Sequence, residues 1–234
     1  KILMKVSCII LARGGSKGIP KKNIIDFCGK PLIAWTILQA LDAKGVTDVW
    51  VSSDSDEILE VSKRYGANTI VRPKVISGDA EPSESAWLHA IDFIEKQSNC
   101  SINYILAPQV TSPLRHATDF SDAIVQIKIN GADSLLSVAE IEDFFIWKQK
   151  SGAFPKSVNY DYKNRKPRQK IEKTYLENGS FYLFKPQVIR DNSNRLGGNI
   201  SLFVMDKYKM FQIDNIEDIE LSSVIMKGFN LNKV

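Results

Sequence analysis

Apolar and polar positions change period repeatedly along this chain. Val6-Ser7-Cys8-Ile9-Ile10-Leu11-Ala12 is a continuous apolar run of strand length. Such runs suit a parallel strand covered on both faces, since alternation is lost when neither face meets water. After a glycine-rich turn, Pro31 opens a helix pattern over 32–41, which Gly45 ends. A second strand is predicted at 48–53, a second helix at 54–65 stopped by Gly66, and a short third strand at 69–71. A helix over about 83–97, a strand at 104–107, a helix over 118–130 capped by Thr118 and a strand at 134–138 continue the alternation. The last elements expected are strands at 180–184 and 201–205 and a closing helix over 214–226. Strands and helices alternating at this spacing predict a three-layer α/β fold, Rossmann-like, with a mainly parallel sheet.

The texture changes between about 140 and 175. The stretch 143–168 is aromatic, basic and loop-rich and contains Pro155 and Pro167. It is too apolar for a disordered linker, so it reads as an excursion that packs on something, for instance another subunit. The whole chain, 1–234, reads as one domain that includes this excursion, with no internal repeat.

Composition narrows the class. Hydrophobic residues make up 44% and charged residues 25%, ordinary values for a globular protein. No apolar run approaches the roughly 20 residues of a membrane-spanning helix, and the start lacks the pattern of a signal peptide, so no membrane contact and a cytoplasmic location are expected. Cys8, Cys28 and Cys100 are too scattered for a disulfide framework or a zinc site. The two histidines, His89 and His116, are isolated, which argues against histidine-based catalysis. The net charge of +4 comes without an aromatic-interleaved basic stripe, so nucleic acid is not an expected partner. The basic residues gather instead at 13–22 and 163–173, a clustering that suits a compact anion.

The chemistry concentrates in Leu11-Ala12-Arg13-Gly14-Gly15-Ser16-Lys17-Gly18-Ile19-Pro20-Lys21-Lys22-Asn23. This loop follows the first strand, where open α/β sheets bind ligands. Gly14, Gly15 and Gly18 let backbone amides approach a phosphate, while Arg13, Lys17 and Lys22 supply positive charge for a triphosphate and its leaving pyrophosphate. The dinucleotide fingerprint and the P-loop both fail on glycine spacing, which sets aside a nicotinamide-dependent dehydrogenase.

The loop resembles the signature of the acylneuraminate cytidylyltransferases, which make CMP-sialic acid and CMP-activated legionaminic or pseudaminic acid. Further segments match that family in order: Arg72-Pro73 with Ser77-Gly78-Asp79, Gln109-Val110-Thr111-Ser112-Pro113-Leu114-Arg115, Arg168-Gln169, Tyr175-Leu176-Glu177-Asn178-Gly179-Ser180, and Ile213-Asp214-Asn215-Ile216-Glu217-Asp218. The resemblance covers about 5–228 and implies transfer of a cytidylyl group from CTP to an acidic nine-carbon sugar, in a homodimer whose contact is the excursion at 140–175.

On that resemblance Leu11, Ala12, Arg13, Gly14, Ser16, Lys17, Lys22 and Asn23 hold the triphosphate and ribose, and Arg72 and Ser77 border the cytosine. Gln109, whose amide both donates and accepts, Thr111, Ser112, Arg168, Asn178 and Gly179 face the sugar, Arg168 as a fork for its carboxylate. Phe181 is placed with them, although its residue type fits a core position better. Asp214 is the expected Mg²⁺ ligand and, with Arg13 and Lys17, the catalytic set. Many members carry a second aspartate two residues earlier, where this chain has Gln212, a neutral and poorer ligand. Asp218 is a poor substitute, being expected to face away. Two alternatives stay open: a cytidylyltransferase for the eight-carbon ketodeoxyoctonate, and a non-catalytic CTP-binding relative.

Overall fold

The computed structural model describes residues 4–233 except 17, 79, 80 and 143, and gives the backbone alone for Arg168. In chain order the elements are β1 (Val6–Leu11), the two-residue strands β2 (Asp26–Phe27) and β3 (Lys30–Pro31), α1 (Leu32–Asp42), β4 (Asp48–Ser53) and α2 (Asp56–Arg64). Next come β5 (Asn68–Val71), α3 (Ser83–Ser98), β6 (Tyr104–Pro108), α4 (Ala117–Asn130) and β7 (Ser134–Ile141). The remainder are β8 (Trp147–Lys148), β9 (Lys156–Ser157), β10 (Thr174–Phe184), α5 (Pro186–Asn192), β11 (Ile200–Met205) and α6 (Ile216–Gly228).

Seven strands form one sheet in the order β11-β7-β10-β6-β1-β4-β5. All neighbours pair parallel except β10, which runs antiparallel to both β6 and β7. Each face is covered by its own apolar cluster. One holds Leu32, Trp35, Ile37, Phe120, Ile124 and Met226; the other holds Trp87, Ile91, Ile94, Tyr182 and Phe184. Burial on both faces is why β1 and β6 read as unbroken apolar runs rather than alternating ones. The expected three-layer, mainly parallel α/β architecture is therefore present.

Several boundaries differ from the sequence expectation. The cap of α4 is His116, whose backbone N–H donates to Asp119 Oδ2 at 2.7 Å, two residues ahead of the expected Thr118. The last helix starts at Ile216; its cap is Asn215, which accepts from the Asp218 N–H at 3.2 Å, while Asp218 Oδ2 takes the N–H groups of Asp214 and Asn215 at 2.9 Å each. Asp218 thus folds back on the helix start as half of a capping box. The strand expected at 180–184 extends back to Thr174, which trims the excursion to 142–173, and α5 was not foreseen.

Strand order moves outward from β1 in both directions, through β4 to β5 on one side and through β6 to β10 on the other. That switch point leaves a crevice beyond the carboxyl ends of β1 and β6, where ligands bind in open α/β sheets.

Candidate active site

A cleft of about 590 Å³ opens at this switch point. The loop after β1 lines it with Leu11, Arg13, Ser16, Gly18, Lys22 and Asn23. Arg72 and Ser77 border it beyond β5, Gln109 and Thr111 beyond β6, and Asp214 ahead of α6. Motifs up to about 200 residues apart in sequence thus meet at one opening, because parallel strands deliver all their carboxyl ends to the same edge.

The loop is held from below. Gly14 N–H donates to Asp54 Oδ1 at 2.9 Å, so this amide is tied to the β4–α2 turn rather than offered to a ligand. A Cβ at Gly14 would stand 3.0 Å from Ser55 Cβ, so the glycine allows close packing there. Ala12 is buried and its N–H extends the sheet by donating to Ser52 O at 3.1 Å. Gly14 and Ala12 therefore shape the loop, while Arg13, Ser16 and Asn23 face the cleft. Asn23 Nδ2 donates to Arg13 O at 2.9 Å and fixes the backbone from which that arginine projects. Lys17, between the cleft-lining Ser16 and Gly18, lies outside the described residues.

Asp214 is placed by contacts from three directions. Ile213 is fully buried and its N–H donates to Thr111 O at 2.8 Å. Lys22 Nζ donates to Ile213 O at 3.0 Å and to Asp214 Oδ1 at 3.1 Å. A Cβ at Gly18 would fall 2.7 Å from Asp214 O, so only glycine lets the loop close onto this segment. The Asp214 side chain remains 71% exposed towards the cleft. Upstream, the buried Lys209 Nζ pairs with Asp119 at 2.9 and 3.1 Å and with Asp206 at 3.0 Å, anchoring the approach to Gln212.

Gln212 does not stand in for an acidic ligand. Its Nε2 donates to Asn178 O at 3.0 Å and lies against Gly179, where a Cβ would meet it at 2.4 Å. Gly179 adopts φ +64°, a left-handed conformation that glycine takes freely. Asp214 is thus the one carboxylate among the expected site residues, and no group of three or more metal-ligating side chains occurs among the described residues. One carboxylate beside a glycine-rich basic loop fits Mg²⁺, which keeps several waters and takes further oxygens from phosphates.

Arg72 is 6% exposed, and its Nε and Nη2 have no hydrogen-bond partner; Asp54 Oδ1 stands 3.8 Å from Nη2. Burial, against the pull of Asp54 and together with the nearby Arg13, lowers its pKa. Buried donors left open beside a cleft suit an acceptor supplied by a ligand. Ser77 donates its hydroxyl to Pro73 O at 2.9 Å, capping the short turn over 74–76.

The sugar-side expectations need correction in part. Gln109 and Thr111 line the cleft. Ser112 is buried, its hydroxyl donating to Gly179 O at 3.2 Å. Asn178 is 1% exposed; its Oδ1 accepts from the Ser137 hydroxyl at 2.7 Å and its Nδ2 donates to Met205 Sδ at 3.4 Å. Ser112 and Asn178 therefore brace the wall of the site and do not present side chains to it. Phe181 is a core residue, fully buried edge-to-face with Phe120 at 5.1 Å. Strand alternation turns it away from the cleft, since residues along β10 point to opposite faces in turn. The side chain of Arg168 lies outside the described residues.

Sequence reasoning missed two groups. Arg115 is fully buried, donating from Nε to Gln39 at 2.9 Å, from Nη1 to Ser180 O at 2.9 Å, and from Nη2 to Thr36 Oγ1 at 2.7 Å and Gln109 O at 3.2 Å. Burial lowers its pKa to about 9, so it stays charged at neutral pH. The second group, Trp87 with Arg195, joins the cleft from α3 and from the loop after α5. Trp87 sits in a helix whose apolar stripe could have marked it, whereas nothing in the sequence around Arg195 signals a site.

Residues 7–229 match the Cytidylyltransferase family. The chain is 33% identical to a pseudaminic acid cytidylyltransferase of Campylobacter jejuni over 230 residues, 96% of this chain and 97% of that one. It is 37% identical to an N-acylneuraminate cytidylyltransferase of Oncorhynchus mykiss over 184 residues, 76% of this chain and 41% of that longer protein. The fold superposes with a TM-score of 0.71 on a CMP:2-keto-3-deoxy-manno-octonic acid synthetase complexed with CTP, at 16% identity, covering 96% of this chain and 99% of that one. With the family matched across nearly the whole chain and most of its motifs gathered at one cleft, this protein belongs to the cytidylyltransferases.

Proposed function

We propose that this protein transfers the cytidylyl group of CTP to the anomeric hydroxyl of an acidic nine-carbon sugar, forming a CMP-sugar and releasing pyrophosphate. The observation that carries the reading is the single cleft where the glycine-rich basic loop, Arg72, Gln109 and Asp214 converge. The named activities of the pseudaminic acid and N-acylneuraminate relatives support the substrate class.

The sugar hydroxyl attacks the α-phosphorus and gives up its proton to water, the bond to the bridging oxygen breaks, and the β and γ phosphates leave together as pyrophosphate. Arg13 and Lys17 balance the charge that builds on the departing pyrophosphate. Lys17 takes this role from its place in the loop, between two cleft-lining residues. Arg72 holds the nucleotide at the β5 side; Gln109 and Thr111 orient the sugar at the β6 side, with Arg168 meeting its carboxylate. Most of the rate enhancement comes from holding the hydroxyl in line with the phosphorus. Asp214 would hold Mg²⁺, which neutralises phosphate charge when bound. The segment 142–173 forms a contact between two copies of the chain, and the enzyme acts in the cytoplasm.

The test is pyrophosphate release with CTP and Mg²⁺ against N-acetylneuraminic, deaminated neuraminic, legionaminic, pseudaminic and ketodeoxyoctonic acids. Release with a nine-carbon acid is expected. Release with the eight-carbon acid alone would move the substrate class, and CTP binding without release from any acid would make the chain a non-catalytic relative.

A further inference from the structure

Arg195, in the loop between α5 and β11, is the one basic side chain among the described residues of the cleft that belongs to none of the family-like segments. Its guanidinium lies over two rings, 4.8 Å from the centroid of Trp87 and 4.8 Å from that of Tyr182. Nε donates to Glu84 Oε1 at 3.1 Å. Tyr182 is fixed in turn by its hydroxyl, which donates to Glu177; burial, with that bond, pushes the phenol's pKa up and keeps it protonated. The side chain is one quarter exposed. Two rings and a carboxylate thus lock an otherwise flexible side chain, and the Nη edge, which makes no hydrogen bond to the described residues, remains for a ligand.

Position assigns that edge to the sugar. The loop after β1 and Arg72 after β5 occupy the β1-β4-β5 half of the sheet edge. Tyr182 belongs to β10, on the far side of β6, where Tyr182 pairs with Ala107 two residues before Gln109. Arg195 therefore stands over the half of the cleft that carries Gln109, away from the triphosphate loop.

Charge decides what it meets. Glu84 already balances the guanidinium, so a second anion gains little there, while a planar donor edge still fits a carbonyl oxygen. Ala86 and Trp87 of α3 and Pro108 of β6 line the cleft beside it and offer apolar surface. A donor fork beside an apolar wall matches an acylamino group, with a carbonyl oxygen to accept and a methyl to bury. We propose that Arg195, set by Glu84, Trp87 and Tyr182, is the residue that recognises an N-acyl group of the sugar. This rests on the nine-carbon acid reading above.

The experiment compares N-acetylneuraminic acid, or whichever acylated acid the parent enzyme uses, with its analogue carrying a hydroxyl in place of the acylamino group. Arg195→Ala is expected to raise KM for the acylated acid about tenfold, to raise that of the hydroxyl analogue less, and to leave KM for CTP within about twofold. Arg195→Lys, which keeps the charge without the fork, is expected to keep the raised KM, and it carries the test should the alanine variant melt below the assay temperature. Equal rises for both acids, an unchanged KM for the acylated acid, or full recovery in Arg195→Lys would each overturn the proposal. A parent enzyme whose KM for the hydroxyl analogue equals its KM for the acylated acid would overturn it too. A parent enzyme that releases pyrophosphate with no acid would instead remove the functional reading, and this inference with it.

Discussion

Gln212 and Asp214 sit two residues apart and have separate work. Asp214 is exposed to the cleft, whereas the Gln212 amide donates to the Asn178 carbonyl and packs on Gly179. Gln212→Ala is therefore expected to loosen the Asn178–Gly179 turn and raise KM for the sugar several-fold, roughly what one hydrogen bond is worth. The Mg²⁺ concentration giving half-maximal activity should not move; a titration that shifts upward would place Gln212 in the metal site after all. Asp214→Ala is expected to cut kcat by about a hundredfold or more at saturating Mg²⁺, because it removes the carboxylate that would hold the ion. Direct Mn²⁺ binding in the presence of CTP should weaken with it; a variant with full activity and unchanged Mn²⁺ affinity would exclude the role. The Lys22–Asp214 contact is too exposed on the aspartate side to add much stability, so Asp214→Ala should leave the melting temperature nearly untouched.

At the scale of elements, Arg115 joins what the sheet alone would leave separate. Its guanidinium ties α1 through Thr36 and Gln39 to β10 through Ser180 and to the turn after β6 through Gln109 O. No carboxylate is among these hydrogen-bond partners; the face of Phe120, 5.0 Å away, adds the aromatic contribution. Arg115→Met would take the donor from Gln39 Oε1 and Thr36 Oγ1, while Ser180 O and Gln109 O keep the backbone N–H groups of Gln109 and Ser112; at about 1–3 kcal/mol for each unpaired buried acceptor, a loss near 3 kcal/mol or more in denaturant unfolding is expected. A loss below about 1 kcal/mol would mean that water replaces the guanidinium. Phe181→Leu serves as the counterpart: it should cost about 1 kcal/mol of stability through poorer packing, yet leave KM for the sugar within about twofold. These two residues show where the sequence stopped being informative. The run Ser180–Phe184 announces a strand, but an apolar run reads the same in either direction, so the antiparallel course of β10 was hidden. Which face Phe181 takes depends on register, and register is set by pairing with β6 and β7, far away in the chain. The short α5, opened by Pro186 and only seven residues long, carries too little periodicity to stand out. The loop after β1, by contrast, was legible because glycine and basic residues at a strand end have few other uses. Arg115 also lay in plain view within a matching segment, but no sequence pattern distinguishes an arginine that enters the core from one that meets a ligand.

For the whole molecule, the segment 142–173 is the part that the sheet does not explain. It holds the β8–β9 ribbon and a ring cluster in which Phe145 meets Tyr160 at 4.2 Å and Trp147 meets Tyr162 at 5.3 Å. These rings organise the segment but do not bury it: Phe154 is 93% exposed, Ile146 52%, Trp147 45% and Tyr162 53%. Exposed apolar side chains gathered in one segment are stabilised when a second surface removes them from water, at roughly 25 cal/mol per Å². The proposed dimer supplies that surface. Sedimentation at micromolar concentration should give twice the chain mass, and Trp147→Glu combined with Phe154→Glu should give the single chain, since each protomer would bring two charges into a dry contact. The two glutamates lie outside both apolar clusters that cover the sheet, so the unfolding transition of the α/β body should persist in the monomer. A parent chain that sediments as a monomer would end the proposal. A double variant that stays dimeric would move the contact to another face, of which the edge strand β11, with Ile200, Leu202 and Val204 exposed, is the next to mutate.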